Sequence, residues 1–215
     1  MGRAENDSSR VRPAVLFGIA ALLLGAVFIS LLIISRSLFH VADYYAPLTD
    51  AVTKVVFQTS RFHVSFEEAM RDEKGAGEEV WDFLDRADGY ARALLEGGES
   101  GKERSRPLDD PRLREEAGRI VTGLKVVRSI AMERLIDGEA GGSALDAQFD
   151  EAIAALLRHA DHVESELRKA VAGEVRTIRL ALYTLSGAVV LLAFGIGYIL
   201  FRYGRVISEA ATRSR

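Results

Sequence analysis

The residues able to do chemistry in this sequence are few and fall into two groups. His63, Glu67 and Glu68 lie close together, with His63 and Glu67 four apart and so on one face of a helix. His159 and His162, three apart, form a second pair. Imidazole and carboxylate are both metal ligands, so His63, Glu67, His159 and His162 together make a candidate site for a metal ion or haem, provided two helices bring them to the same height. The repeated E-x-x-H pairs of a di-iron bundle are absent. A His63–Glu67 interaction within one helix, and histidines solvated beside Arg158 and Asp161, would satisfy the same residues without any metal. A small anionic ligand would instead need converging donors, for which Arg61, Arg86, Arg128 and Arg134 are the candidates. Trp81, Phe83 and Tyr90 could line such a pocket, although aromatic residues on an apolar helix face serve as core first. The ligand-contact candidates are therefore Arg61, His63, Glu67, Arg86, Tyr90, Arg128 and Arg134. Glycines 97–98 and 141–142 lack a following GK[ST] and read as helix ends, not phosphate loops. With no cysteine, the chain has no disulfide, thiolate nucleophile or cysteine-held metal. No serine triad or paired-acid arrangement is present, so no catalytic residue is assigned and an enzyme is not expected.

These residues must be positioned by helices, and the distribution of charge shows which. Residues 14–35 and 180–201 contain no Asp, Glu, Lys, Arg or His. Each run of 22 residues would be roughly 33 Å long as a helix, which matches a hydrocarbon core of about 30 Å. The first run is too long for a signal peptide and ends at Arg36, so it reads as an uncleaved anchor. The second is bounded by Arg179 and Arg202, with Tyr183 and Tyr198 toward its ends, and Gly187 and Gly195 offer small surfaces for close packing. The tails, 1–13 and 202–215, are both net basic, whereas residues 36–179 carry 21 Lys/Arg and 28 Asp/Glu. The basic short flanks place both termini in the cytoplasm and the long segment outside it. Two spans without ionisable residues offer no ion relay, which argues against transport, and a net charge of −3 gives no reason to expect nucleic acid.

Four amphipathic helices fill residues 36–179. The first, about 36–72, carries Leu38, Val41, Tyr45, Leu48, Val52, Val55, Thr59, Phe62, Phe66 and Ala69 every three or four residues, with Pro47 a local kink. Lys74 to Gly77 marks a turn. The second, about 78–96, has Val80, Leu84, Ala87, Ala91 and Leu94 on its stripe and ends at Gly97 and Gly98. Residues 97–108 read as a long flexible connection. Asp110 and Pro111 start the third helix, about 111–137, whose stripe is Leu113, Ala117, Ile120, Leu124, Val127, Ala131 and Leu135. Gly138 to Gly142 closes it. Ser143 with Asp146 resembles a cap for the fourth, about 144–179, with Leu145, Phe149, Leu156, Ala160, Val163, Leu167 and Val171 inward. The economical fold is all-α: an antiparallel up-down-up-down four-helix bundle, its first and last helices continuous with transmembrane helices at 14–35 and 180–201.

That layout resembles the sensing half of bacterial transmembrane receptors, which include methyl-accepting chemotaxis receptors and membrane-bound histidine kinases. SRFHVSFEEAM at 60–70, ALLEGG at 93–98, LDDPRLRE at 108–115 and GSALDAQFDEA at 142–152 are similar to recurring segments of one group of such helical sensory domains. The resemblance implies a signal-transducing protein of the bacterial inner membrane, a homodimer, that detects an extracytoplasmic ligand or partner and relays a helix displacement. Such receptors continue into a HAMP linker and an output domain, where only FRYGRVISEAATRSR follows here. The chain is accordingly expected either to work through a separate membrane or cytoplasmic signalling protein or to be a truncated receptor. Two other readings stand beside it: a structural or adaptor protein whose bundle binds an envelope protein, and a small metal- or haem-binding bundle.

Overall fold

The computed structural model describes residues 8–71, 77–100, 103–137 and 144–213. The expected turn at 74–76, the glycine-rich closure at 138–142 and the Ser143 cap lie outside them. The described chain is helical apart from one short hairpin. Its elements are α1 (Ser8–His40), a π-helical turn (Val41–Tyr45), α2 (Ala46–Arg71), α3 (Glu78–Glu96), β1 (Gly98–Ser100), β2 (Glu103–Ser105), α4 (Pro111–Asp137) and α5 (Ala144–Arg213). They divide into two compact units, one of Met1–Leu38 with Glu174–Arg215 and one of Phe39–Gly173.

In Phe39–Gly173 the three-and-four spacing becomes one core. Leu48, Val52, Val55, Phe62 and Phe66 of α2 are buried with Leu84, Ala87, Ala91 and Leu94 of α3, Ile120, Leu124 and Val127 of α4, and Phe149, Ile153, Leu156 and Leu167 of α5. Each fully buried Phe or Leu stabilises the fold by about 1.5–3 kcal/mol. Phe62, Phe66, Trp81 and Phe149 form an aromatic cluster with ring centroids 5.1–6.2 Å apart. At Gly123 a Cβ would touch Leu156 at 3.5 Å, so α4 and α5 approach closely there.

Three local features differ from the sequence-based expectation. Pro47 lacks an N–H, and the adjustment it imposes falls in the preceding turn, where the Ala46 N–H reaches the Val41 carbonyl in a π-helical bond. A π turn takes one residue more than an α turn, which shifts the phase upstream. Tyr44 and Ser37 are therefore the inward residues in place of Tyr45 and Leu38, and Leu38 is 54% exposed. Residues 97–108 are not a slack linker. β1 and β2 pair antiparallel, Gly98 opposite Ser105, and Gly97 and Gly98 supply the φ of 73° and 134° that turn the chain out of α3. The Leu108 N–H then bonds the Leu94 carbonyl at 2.9 Å, and Arg114 donates to the Leu95 carbonyl, so the connection caps the end of α3. Leu108 itself is buried. Asp110 starts α4 by accepting from the Arg112 N–H at 2.8 Å, with Pro111 in the first helical position.

The other unit is built differently. Two helical stretches, Gly18–Arg71 and Ala144–Tyr198, contain windows long and apolar enough to cross a membrane, and only 6% and 11% of those windows is buried. Core helices of a water-soluble fold would be mostly buried. The described residues that are buried in this unit are Ser30, Ser37, Ala181 and Ala188, seven apart on each helix. Gly187 and Gly195, expected to be the packing surfaces, are exposed, with open space where a Cβ would stand.

Candidate functional site

The candidate ligands from the sequence are distributed among separate partners. His63 Nε2 lies 3.1 Å from Asp150 Oδ1, with its ring edge-on to Phe149. His159 Nδ1 lies 2.7 Å from Glu116 Oε2, and Arg119 donates to the other oxygen of Glu116 at 2.9 Å. Asp150 and His159 are nine residues apart on α5, roughly 13 Å along its axis, so His63 and His159 are on different levels. His162 is exposed one turn from Glu166, and Glu68 is exposed. Among the described residues no three His, Cys, Asp or Glu side chains are placed to hold a metal ion. The sequence placed His63, Glu67, His159 and His162 in one site; the spacing along α5 separates them.

The arginines do not converge either. Arg61 lies over the rings of Phe57 and Phe83, 6.0 and 5.4 Å from their centroids. Arg86 faces Asp82 at 3.8 Å one turn away on α3. Arg128 pairs with Asp85 and lies over Trp81, on the opposite flank of α3 from Phe83. Tyr90 is half-buried beneath Lys54, whose Nζ is 5.3 Å from the ring centroid. Trp81, Phe83 and Tyr90 pack against the core.

Arg134 is a different case, because it is fully buried. Nη1 donates to Glu67 Oε1 and Nη2 lies against Asp146 Oδ1, both at 2.7 Å, and the guanidinium lies beside the adjacent rings of Phe66 and Phe149, 5.5 and 5.0 Å from their centroids. Its Nε is buried without a hydrogen bond, and Nη2 meets Asp146 as an ion pair without hydrogen-bond geometry. One cation on α4 thus holds a carboxylate from α2 and another from α5. Both acids keep about a quarter of their surface in water, at 25% and 22% exposure. Arg134 and Glu67 are a structural junction with their charges already met, so they are poorly placed to receive an anion. The periodicity hid this, since Arg134 falls beside the stripe position Leu135.

Among the described residues, two concave surfaces within Phe39–Gly173 stand apart from these pairs. A groove of 680 Å³ runs between α4 and α5, lined by Gly118, Thr122, Gly123, Val126, Ala152 and Ala155, with Glu115, Arg119 and His159 at its margin. A second cavity, of 460 Å³, lies beside the π-helical turn. His40 stacks on Tyr44 with centroids 5.2 Å apart and planes 4° from parallel, and Tyr45 meets both rings edge-on at 5.0 and 5.1 Å. The Asp109 N–H donates to the Tyr44 hydroxyl at 2.7 Å, tying the loop before α4 to the turn. Burial pushes the Tyr44 phenol above its ordinary value, opposed by that backbone bond and reinforced by the Asp109 carboxylate. On the facing wall, Lys169 donates to Glu166 at 2.5 Å, which holds the Glu166 carboxyl below its ordinary value. Sequence reasoning passed over this cavity. The available signal was His40 with Tyr44 and Tyr45, three rings within two helical turns immediately before a helix proline.

No family model matches this chain, and no curated protein or solved structure matches it either.

Proposed function

We propose that the chain is a membrane-anchored sensory domain. In this reading α1 and α5 cross the bacterial cytoplasmic membrane, both termini are cytoplasmic, and residues 36–179 form an antiparallel up-down-up-down four-helix bundle outside it. A ligand or partner shifts the bundle between two packings, and the helices that enter the membrane carry the displacement to a separate signalling protein. The protein acts as a homodimer. The observation that carries the reading is that each helical stretch with a lipid-compatible window also supplies core residues to Phe39–Gly173, so a change of packing there has a covalent route into the apolar segments. The Arg134 junction adds support. A buried cation shared by carboxylates of α2 and α5 fixes their register at a desolvation cost, as a two-state packing would require.

Because the chain has no native cysteine, single substitutions test the topology cleanly. An impermeant maleimide should label Gln148→Cys in intact cells and leave Ser208→Cys unlabelled until the cells are opened; the reverse pattern would overturn the proposed orientation. Capture of partners from membranes then tests the role, a signalling protein being the expected one. The adaptor reading rests on the α4–α5 groove, whose small-residue floor and the exposed Val126 beside it suit a partner helix. Recovery of an envelope structural protein, lost with Gly118→Leu, would favour it.

A further inference from the structure

We propose that the cavity beside the π-helical turn binds the ammonium group of an organic amine. Its volume of 460 Å³ falls within the range of small-molecule sites. The cavity is built into the fold: Tyr44, Leu108 and Leu167 on its walls are 8%, 1% and 1% exposed. Three of its lining rings, His40, Tyr44 and Tyr45, pack into one block, and the negative face of an aromatic ring attracts a cation.

The charge balance points the same way. Asp109, Asp110, Glu166 and Lys169 all line the cavity. Lys169 is paired with Glu166, whereas no ion pair engages Asp109 or Asp110 among the described residues. One Asp110 oxygen caps α4, and the backbone N–H of Asp109 holds Tyr44, so both residues are fixed in place with carboxylate capacity to spare. A concave surface with aromatic walls and two uncompensated negative charges repels an anion. Asp109 and Asp110 are exposed at its rim, so a neutral apolar guest would meet charged groups with which it makes no favourable contact. A divalent metal would need oxygen ligands converging on a point, and no such group is placed among the described residues. A primary ammonium meets both demands: its N–H groups make charge-assisted hydrogen bonds to the carboxylates while its charge lies against the rings. The ammonium belongs either to a free small amine or to the ethanolamine headgroup of a phospholipid. The inference names the ligand class for the sensory reading and rests on that reading only for what binding does, not for binding itself.

The test uses the full chain purified in an uncharged detergent. Calorimetric titration with n-butylammonium chloride should show saturable binding that sodium acetate at equal ionic strength does not reproduce. Asp109→Asn, which keeps the backbone bond to Tyr44, and Tyr45→Ala should each weaken binding about tenfold. Lys169→Gln, which releases Glu166, should strengthen it. The lipid arm places the chain in nanodiscs of phosphatidylglycerol with and without phosphatidylethanolamine and counts retained lipid by native mass spectrometry. Retention of ethanolamine lipid that is lost in Asp109→Asn, with no butylammonium binding, supports the site and assigns the lipid as its source. Binding of neither amine, or binding indifferent to both Asp109→Asn and Tyr45→Ala, would overturn the proposal. Unchanged helical circular dichroism in Asp109→Asn separates loss of a contact from loss of the fold. Disulfide formation in a Ser30→Cys, Ala188→Cys double variant, followed with and without amine, reads the relay separately. Saturable binding with no change in that rate keeps the site and removes the sensory mechanism.

Discussion

In Phe39–Gly173 the inward positions are taken by residues such as Phe62, Phe66, Leu84, Leu156 and one arginine, and the outward positions are mostly charged. In the unit of Met1–Leu38 and Glu174–Arg215 the inward positions are Ser30, Ser37, Ala181 and Ala188, while Phe28, Leu31, Leu191 and Phe194 face out. Inward residues recur at helical spacing in both, every three or four residues in the first unit and every seven in the second; the kind of residue is inverted. In water, burying a large apolar side chain is what stabilises helix packing. In lipid the tails are as apolar as leucine, so burial gains nothing by transfer and close approach of small residues takes over. The two units therefore differ in what they bury, small residues in one and large ones in the other, and the apolar windows of the first would suit lipid.

The largest break in this comparison comes from Arg134. Replacing it with Ala leaves a cavity and two carboxylates without their cation, and removal of one partner of a buried pair costs about 3–5 kcal/mol. Because Glu67 and Asp146 keep water contact, the loss should fall at the lower end and appear as a lower thermal midpoint of the detergent-solubilised chain. Arg134→Met fills the space beside Phe66 and Phe149 and should recover more than half of that loss. If Arg134→Ala unfolds at the native temperature, the junction is not part of what holds α2, α4 and α5 together.

Phe28 and Phe57 are exposed to nearly the same degree, 63% and 56%, one in each unit. An arginine at the centre of a membrane helix costs about 2.5–3.5 kcal/mol, whereas an exposed position in water tolerates it within about 0.5 kcal/mol. Phe28→Arg should shift the chain out of the carbonate-resistant membrane fraction and Phe57→Arg should not. Equal behaviour of the two variants would remove the distinction between the solvents. Ser30→Leu sharpens the same contrast from inside. Overpacking a close helix contact costs about 1–3 kcal/mol, so this variant should lower the midpoint although it raises hydrophobicity, and Leu31→Ser should matter less.

Much of the helical fold was legible in the sequence because helix ends carry chemical signs. Asp110 with Pro111 and the glycines at 97 and 98 mark ends that α3 and α4 have. The apolar stripes of α2, α3 and α4 were legible for the same reason: water sorts side chains by face. The π-helical turn was not, since its cause is one missing N–H and its effect is a phase shift one turn earlier. The hairpin at 98–105 has too few residues for periodicity to register. Site residues were least legible. Glu67 and Arg134 were singled out as ligand contacts by type, yet their role depends on which helices face each other, information that spacing along one helix does not contain. His40, Tyr44 and Tyr45 were missed as a site because only Tyr45 was read, as one position of the apolar stripe, and the turn that packs the three rings together leaves no mark in spacing.

The smallest expected effect is one of titration, and it probes the cavity in the water-facing unit. The Tyr44 phenol is held above its ordinary value by burial and by the Asp109 carboxylate, so the folded state favours the neutral form. Its contribution to stability is complete below the unfolded phenol value near 10 and declines as pH rises from there through the higher folded value. Absorbance titration at 295 nm should accordingly contain one late-ionising phenol, absent in Tyr44→Phe. Glu166 works in the opposite direction. Its carboxyl is held low by Lys169, so its contribution is present above the unfolded carboxylate value and is lost as pH falls through the folded one. Because its side chain keeps contact with water, it should change the acid limb only slightly, and Lys169→Gln should abolish the change. A Tyr44 that ionises with the remaining tyrosines would mean that this wall of the cavity is open to water, and the ammonium site would lose the buried ring on which it is built.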